Sequence, residues 1–350
     1  MARPTIDDVA RIAGVSIATV SRTLSNPDVV SERSRKIVMD AINQTGYTQN
    51  VAAQNLRQQR SNAVLVLVPD IGNTYFSAIL AGIERAASKA RMTILIGDTA
   101  GSEDREEEFL RYLVNGRADG ALLLNGHLPG SLRADLESGG STVPLVSVSE
   151  ALDAPGVPHV GINNVLAARQ ATEHLLSLGH KKIVHLAGPG SNILTRDRNS
   201  GYQAAMGDAG LTATILEGDF SIESGERAAS VLLSMPMQPT AVFCASDEMA
   251  MGLISALYSQ GIKVPDDLSV LGFDDIIFGS AYIPALSTIR QPRHMIGEVA
   301  MEKLVGLMGG GIKAASEAAP DATTLRGGYV TLLPTELVLR KSTQRLQPGV

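Results

Sequence analysis

From residue 63 onward, short apolar runs alternate with longer segments of helical period, and the pattern occurs twice. "AVLVLVP" (63–69) opens the first set. A helical segment over about 76–90 follows, then "MTILIGD", a helix around 103–115, "DGALLLN", a weaker helix and "PLVSVS". The second set starts near 162. It has helices over 164–178, 196–209, 223–234 and 247–260, and the runs "KIVHLAG", "ATILEG", "TAVFCAS" and "LSVLGF". Strands apolar on both faces must be covered on both faces, and a helix between consecutive strands gives a parallel pair with a right-handed crossover. The pattern predicts an α/β body of two doubly wound parallel sheets, one per lobe, with a cleft between the lobes. Ligands of such sheets gather at the carboxyl ends of the strands. Those ends are Asp70, Asp98, Asn125, Asn163, Gly188, Ser246 and Asp274. The Gly/Ala-rich stretch 309–328 reads as a surface excursion, and "TELVLR" as a late strand.

The first 62 residues are different. Thr5 is placed to cap a helix with Asp8 as its capping-box partner, and Ile6, Val9, Ala10 and Ala13 share one face. Gly14 ends it. Ser16 caps a second helix with Val20 and Leu24 inward. Ser31 caps a third, with Ile37, Val38, Ala41 and Ile42 as its core stripe and Gly46 as its stop. "NVAAQNLRQQRSN" (50–62) is polar with no face wide enough to pack, and reads as a linker that becomes helical on docking. Residues 1–60 hold eight Lys/Arg against five Asp/Glu, a charge of +3. The whole chain carries −6, which leaves −9 for the rest. A basic head on an acidic body suits a polyanion-binding module joined to a sensor.

Other classes fit less well. The longest apolar runs are too short to cross a bilayer, and "MARPTIDD" has no secretory apolar core. One cysteine, Cys244, excludes an internal disulfide, so the expected location is the cytoplasm. His174, His180 and His185 lack metal-ligand spacing, and "GPGSN" (188–192) lacks the rest of a dinucleotide fingerprint and reads as a pocket-side loop. No nucleophile constellation is present, so no enzyme activity, cofactor or metal is expected.

"AGVSIATVSRTL" (13–24) carries the sharpest signal. Two short helices joined by this turn make a helix-turn-helix, whose second helix enters the major groove. Ser16 and Thr19 suit phosphates, Arg22 can fork onto guanine, and Ile17 and Ala18 can only touch a thymine methyl. "TIDDVARIAGVSIATVSRTLSNPDVVSERSRKIVMDAINQTGY" resembles the headpiece of the LacI/GalR family of bacterial transcription regulators. The resemblance continues through "LVLVPDIGNTYFSAILAGIERAA", "EGDFSIESG", "PTAVFCASDEMAMG", "GIKVPDDLSVLGFDD" and "LSTIRQPRHMIGEVAM". It implies a three-helix headpiece and hinge joined to a two-lobed periplasmic-binding-protein-like body. Ser16, Ile17, Ala18, Thr19 and Arg22 then match the recognition helix. Asn50, Ala53, Gln54, Leu56 and Arg57 match the hinge helix, with Leu56 as its minor-groove wedge. Thr5, Ser21, Asn26, Ser31 and Tyr47 complete the expected DNA-facing set.

In the body the resemblance makes Arg198 a ligand clamp and Asp274 an acceptor for ligand hydroxyls or ring nitrogens. Aromatics are only 4% of the chain, so Tyr75, Phe76 and Phe220 near strand ends are candidates to stack on a base or sugar. Asn125, Asn163 and Ser246 complete the expected effector set. Ser246 stands where many relatives carry asparagine, and Asn163-Asn164 where many carry Asp-Asn.

The resulting expectation divides the chain into a headpiece (1–49), a hinge (50–61), a first lobe (62–161 with 292–325), a second lobe (162–291 with 326–342) and a tail (343–350). The function implied is a repressor that binds pseudo-palindromic operator DNA as a homodimer or tetramer and answers to a nucleoside or sugar, with no membrane partner. The alternatives are a solute receptor or a sugar- or nucleoside-converting enzyme on the same two-lobed body.

Overall fold

The structure is a computed structural model, and it describes residues 4–48, 60–137, 143–152, 154, 156–309, 322–325 and 329–347. The chain divides into two compact units, Met1–Ser61 and Asn62–Val350.

In the first unit, helices α1 (Ile6–Ala13), α2 (Ile17–Ser25) and α3 (Glu32–Thr45) form where their caps predict. Thr5 and Asp8 exchange the two hydrogen bonds of a capping box, and Ser16 and Ser31 accept the amide N–H of Thr19 and Ser34. Val9, Ala10, Val20, Val38 and Ala41 are buried together. Ile37, expected in the core stripe, is 39% exposed. Thr23 is buried in its helix instead, its hydroxyl donating to the Thr19 carbonyl at 2.8 Å. That bond lets a polar side chain enter a small apolar core without an unmet donor. The hinge positions Asn50, Ala53, Gln54, Leu56 and Arg57 lie outside the described residues.

The second unit contains two sheets. Strands β1 (Ala63–Val68), β2 (Thr93–Asp98), β3 (Gly120–Leu123), β4 (Leu145–Val148), β5 (His159–Ile162), β11 (Thr323–Leu325) and β12 (Val330–Leu333) build one, in the order β11-β12-β5-β4-β3-β1-β2. Strands β6 (Ile183–Ala187), β7 (Thr214–Glu217), β8 (Ala241–Cys244), β9 (Ser269–Asp274), β10 (Ser287–Arg290) and β13 (Glu336–Val338) build the other, in the order β13-β10-β9-β8-β6-β7. All pairings are parallel except β11 with β12 and β10 with β13. Every residue of β1 is buried, as its unbroken apolar run requires for a strand covered on both faces.

The chain crosses between lobes after β5, after β10 and between β12 and β13. The last crossing corrects the expected assignment of 326–342 to the second lobe. Val330–Leu333 pairs in parallel with β5 in the first sheet, and only Glu336–Val338 joins the second. Part of the expected surface excursion, Thr323–Leu325, is a strand at the edge of the first sheet.

Helix Thr74–Lys89 packs on helix Arg293–Met308 in the first lobe. A Cβ on Gly82 would lie 2.0 Å from the His294 carbonyl oxygen, and one on Gly297 would lie 2.1 Å from the Ile79 carbonyl oxygen. The two backbones approach so closely that only glycine fits at either crossing position. Gly82→Ala should therefore destabilise the body by about 1–3 kcal/mol or more in a denaturant titration. Gly207→Ala, with nothing within 4 Å of its Cβ, should change stability by less than about 1 kcal/mol or raise it. Equal losses at both positions would contradict the close-approach account.

Candidate effector cleft and DNA-binding surface

On α2 the residues divide by what they touch. Val20 and Thr23 point inward, while Ile17 (47% exposed), Ala18, Ser21 and Arg22 face outward. The Ser16 hydroxyl lies 2.9 Å from that of Thr19 and also accepts the Thr19 amide, so Ser16 is engaged in its own cap. Asn26 is exposed and donates its amide to the Arg22 carbonyl at 2.7 Å. Tyr47 packs against the headpiece core.

In the body, the second lobe buries a guanidinium. Arg198, on helix Ile193–Asp208, is 2% exposed. Its Nε donates to Asn164 Oδ1 at 3.0 Å, its Nη1 donates to the Ala245 carbonyl, and its planar head lies 3.8 Å from the Phe273 ring centre. The Phe220 ring centre is 6.0 Å away. Burial pulls the Arg198 pKa down, and the Asp274 charge opposes that shift most. Asp274 ends β9 with a positive φ of 117°, followed by Asp275 at 55°. Non-glycine residues avoid this region, so neighbours must hold the turn. Asp247, fully buried, accepts the Ile276 amide at 2.8 Å and the Thr288 hydroxyl at 2.6 Å, while Arg290 and Arg340 grip the Asp275 carboxylate at 2.7 and 2.6 Å. Burial pushes the Asp274 carboxyl up to about 6, against the charges of Arg198 and Arg293.

The first lobe meets this group through Tyr75. The Tyr75 hydroxyl lies 2.5 Å from Ser149 Oγ and donates to Gln291 Oε1 at 3.1 Å. Gln291 in turn donates through Nε2 to Asp274 Oδ1 at 2.6 Å. One carboxamide thus joins Tyr75 of the first lobe to Asp274 of the second. Three further contacts cross the cleft. Glu248 Oε1 accepts the Thr74 amide and hydroxyl at 3.2 and 2.8 Å. Arg293 reaches the Thr74 and Tyr75 carbonyls at 3.3 Å and the Asp275 carbonyl at 2.8 Å. Asn192 Nδ2 donates to Glu150 Oε2 at 3.0 Å, and burial pushes the Glu150 carboxyl up to about 7.

The other sequence candidates divide. Phe76 is a core residue standing edge-on to Tyr75. Ser246 caps helix Asp247–Ser259 and donates to the Phe220 carbonyl at 3.4 Å. Asn163 is exposed and caps helix Asn164–Ser177, whereas its buried neighbour Asn164 holds Arg198. Asn125 lines a cavity of about 830 Å³ together with His127, Glu150 and Asn192, and the loop 188–192 supplies part of its wall. A second cavity of about 580 Å³ is lined by Ser149, Asn163, Asn164 and Asp197. Sequence reasoning missed Ser149, Glu150, Asn164 and Gln291, which follow β4, β5 and β10. The strand-end rule already reaches Ser149 and Glu150 at the end of "PLVSVS" and Asn164 beside Asn163, and it finds Gln291 once "STIR" is recognised as a strand.

Residues 5–50 match the model for bacterial regulatory proteins of the lacI family, and residues 172–343 match that for a periplasmic binding protein-like domain. The chain belongs to the lacI family of bacterial regulatory proteins; it is a DNA-binding transcriptional regulator and not an enzyme. It is 39% identical to the HTH-type transcriptional repressor CytR of Escherichia coli (strain K12), over 94% of this chain and 97% of that one. It is 33% identical to the HTH-type transcriptional repressor PurR of Photobacterium profundum, over 98% and 99%. Its fold superposes on the lac repressor dimer bound to operator and the anti-inducer ONPF with a TM-score of 0.81 at 28% identity, covering 98% of this chain and 100% of that one.

The raised carboxyl of Glu150 has a stability consequence. In the unfolded chain it ionises near 4.5, in the folded chain near 7. The folded state then binds more protons between these values, so its contribution is complete below about 4.5 and is lost as pH rises through 7. Relative to Glu150→Gln, the ligand-free protein should lose roughly 2–3 kcal/mol between pH 4.5 and 8. The comparison with the variant cancels buried His159 and His185, which are pulled down to about 4 and act in the opposite sense. A stability difference that does not change with pH would contradict the assignment.

Proposed function

We propose that this regulator is a repressor that binds a pseudo-palindromic operator as a homodimer and is controlled by a nucleoside held between Arg198, Asp274, Tyr75 and Phe220 in the cytoplasm. The observation that carries the nucleoside reading is the placement of scarce aromatic rings around one buried guanidinium. Phe273, fully buried, stacks under the Arg198 guanidinium, the Phe220 ring centre lies 6.0 Å from it, and Tyr75 approaches from the other lobe, so Phe220 and Tyr75 are the rings left to meet a base. A planar base suits aromatic walls, and sugar hydroxyls suit Asp274. Sugar is the second reading, favoured by a similar regulator, 30% identical, solved as a CelR-cellobiose complex.

On the DNA side, Arg22 is the strongest polar reader on the exposed face of α2. Ile17 and Ala18 beside it supply apolar contact to thymine methyls. The hinge residues Asn50, Ala53, Gln54, Leu56 and Arg57 are assigned the minor groove by the family resemblance. A homodimer is supported by apolar surface on the second lobe, where Tyr258, Ile277, Phe278 and Ile283 are 79%, 76%, 54% and 90% exposed.

An effector that prefers one arrangement of the lobes biases operator affinity, and the operator biases effector affinity equally. A thermal-shift screen of nucleosides, bases, sugars and sugar phosphates tests the effector class, since only a ligand of the native state raises the melting temperature. Nucleosides should give the largest shift; a response confined to sugars would overturn the reading. In operator selection from random DNA, the wild type should return a half-site with a fixed guanine, and Arg22→Ala should lose that guanine at a cost of about 1–3 kcal/mol. A half-site indifferent to Arg22→Ala would contradict the assignment of Arg22.

A further inference from the structure

Glu150 stands at the carboxyl end of the first sheet, two residues past β4, in the wall of the 830 Å³ cavity; Arg198, Asp274, Tyr75 and Phe220 do not line that cavity, and Glu150 links it to them by feeling the Arg198 charge. Its place is built rather than incidental. A Cβ on Gly126 would lie 2.1 Å from Glu150 Oε2, so the absence of a side chain there makes room for the carboxyl group. The same Oε2 accepts the Asn192 amide from the opposite lobe. On the same cavity wall, both side-chain amide atoms of Asn125 are buried with no hydrogen-bond partner among the described residues. Such a group costs about 1–3 kcal/mol unless something satisfies it, and a bound ligand is the natural complement in a cavity wall.

We propose that Glu150 is a specificity-determining residue of the cleft, accepting a hydrogen bond from an exocyclic amine on the ring of the effector while Asn125 pairs with the adjacent ring edge. The proposal rests on the reading of the cleft as a nucleoside site. A carboxylate accepts from an N–H with charge assistance. Set against a ring carbonyl it places two acceptors face to face with no proton between them, and a site built around one pattern rejects the other. The titratable groups acting on Glu150 are Arg198 on helix Ile193–Asp208 and His127 in the loop after β3, whose Nε2 lies 2.6 Å from Glu106 Oε2, and Arg196 lines the cavity. Glu103, Asp104, Glu107 and Arg133 line the same cavity. Because burial pushes the carboxyl up to about 7, acidification supplies the missing proton. A neutral carboxyl group then serves either ring edge.

The test is isothermal titration calorimetry of the full-length protein with cytidine against uridine and adenosine against inosine. Each pair differs by an amine-for-carbonyl exchange. At pH 8 at least one amine-bearing member should bind on the order of 30-fold or more tighter than its carbonyl counterpart. That ratio should shrink at pH 6. Glu150→Gln, whose carboxamide can donate or accept, should bring the ratio to within about 3-fold and remove its pH dependence. Gly126→Ala, which pushes the carboxyl off its seat without removing charge, should also reduce the ratio, with unchanged operator binding as the check that the substitution at a φ of 71° has left the fold intact. Nucleoside binding with a ratio unchanged by both variants would overturn the proposal alone. Absence of any nucleoside binding, with operator binding intact, would overturn the nucleoside reading and this proposal with it.

Discussion

A guanidinium buried to 2% exposure organises the cleft. Arg198 cannot be left in an apolar interior without partners, because an unpaired buried charge costs several kcal/mol. Its compensation comes from separate places in the chain. Asn164 follows β5, Ala245 follows β8, and Phe273 lies in β9 beside Asp274. These elements come together only when the second sheet is correctly wound, so the site and the fold of the lobe specify each other. The turn at Asp274–Asp275 has positive φ at two non-glycine residues, and Asp247, Arg290 and Arg340 hold it.

From this base the contacts across the cleft follow. Gln291 carries Asp274 to Tyr75, Glu248 caps the start of helix Thr74–Lys89 from the other lobe, and Arg293 ties both sides through backbone carbonyls. These exchangeable hydrogen bonds lie beside one buried apolar cluster that also spans both lobes, from Tyr75 and Phe76 to Phe243 and Phe273. A ligand that offers Asp274 or Glu150 a better partner than Gln291 or Asn192 changes the balance between lobe arrangements. That is the form of coupling a regulator needs, with binding free energy spent on a choice between states rather than on affinity alone.

Much of this was legible in the sequence. The unbroken apolar run "AVLVLV" announced β1, the caps at Thr5, Ser16 and Ser31 announced three helices, and "GFDD" pointed to Asp274. Legibility failed where local pattern and tertiary role diverge. "STIR" contains only one strongly apolar residue, yet Ser287 and Thr288 are buried because Ser342 and Asp247 satisfy their polar groups. Without that strand, Gln291 could not be recognised as a strand-end residue. Asn163 and Asn164 are indistinguishable by type, and the helix start decides that the first caps and the second reaches Arg198. Val330–Leu333 reads as a plain apolar strand, but no local signal says which lobe it joins.

The central claim, proposed above, is that Arg198 and Asp274 hold the effector whose binding changes operator affinity. It is tested most directly by operator affinity of the full-length protein, measured by fluorescence anisotropy with and without saturating effector, in the wild type, Arg198→Met and Asp274→Asn. The account predicts that both variants bind operator as the wild type does without effector and show no change when it is added. An Arg198→Met protein whose operator affinity still responds to effector by the wild-type factor would contradict it.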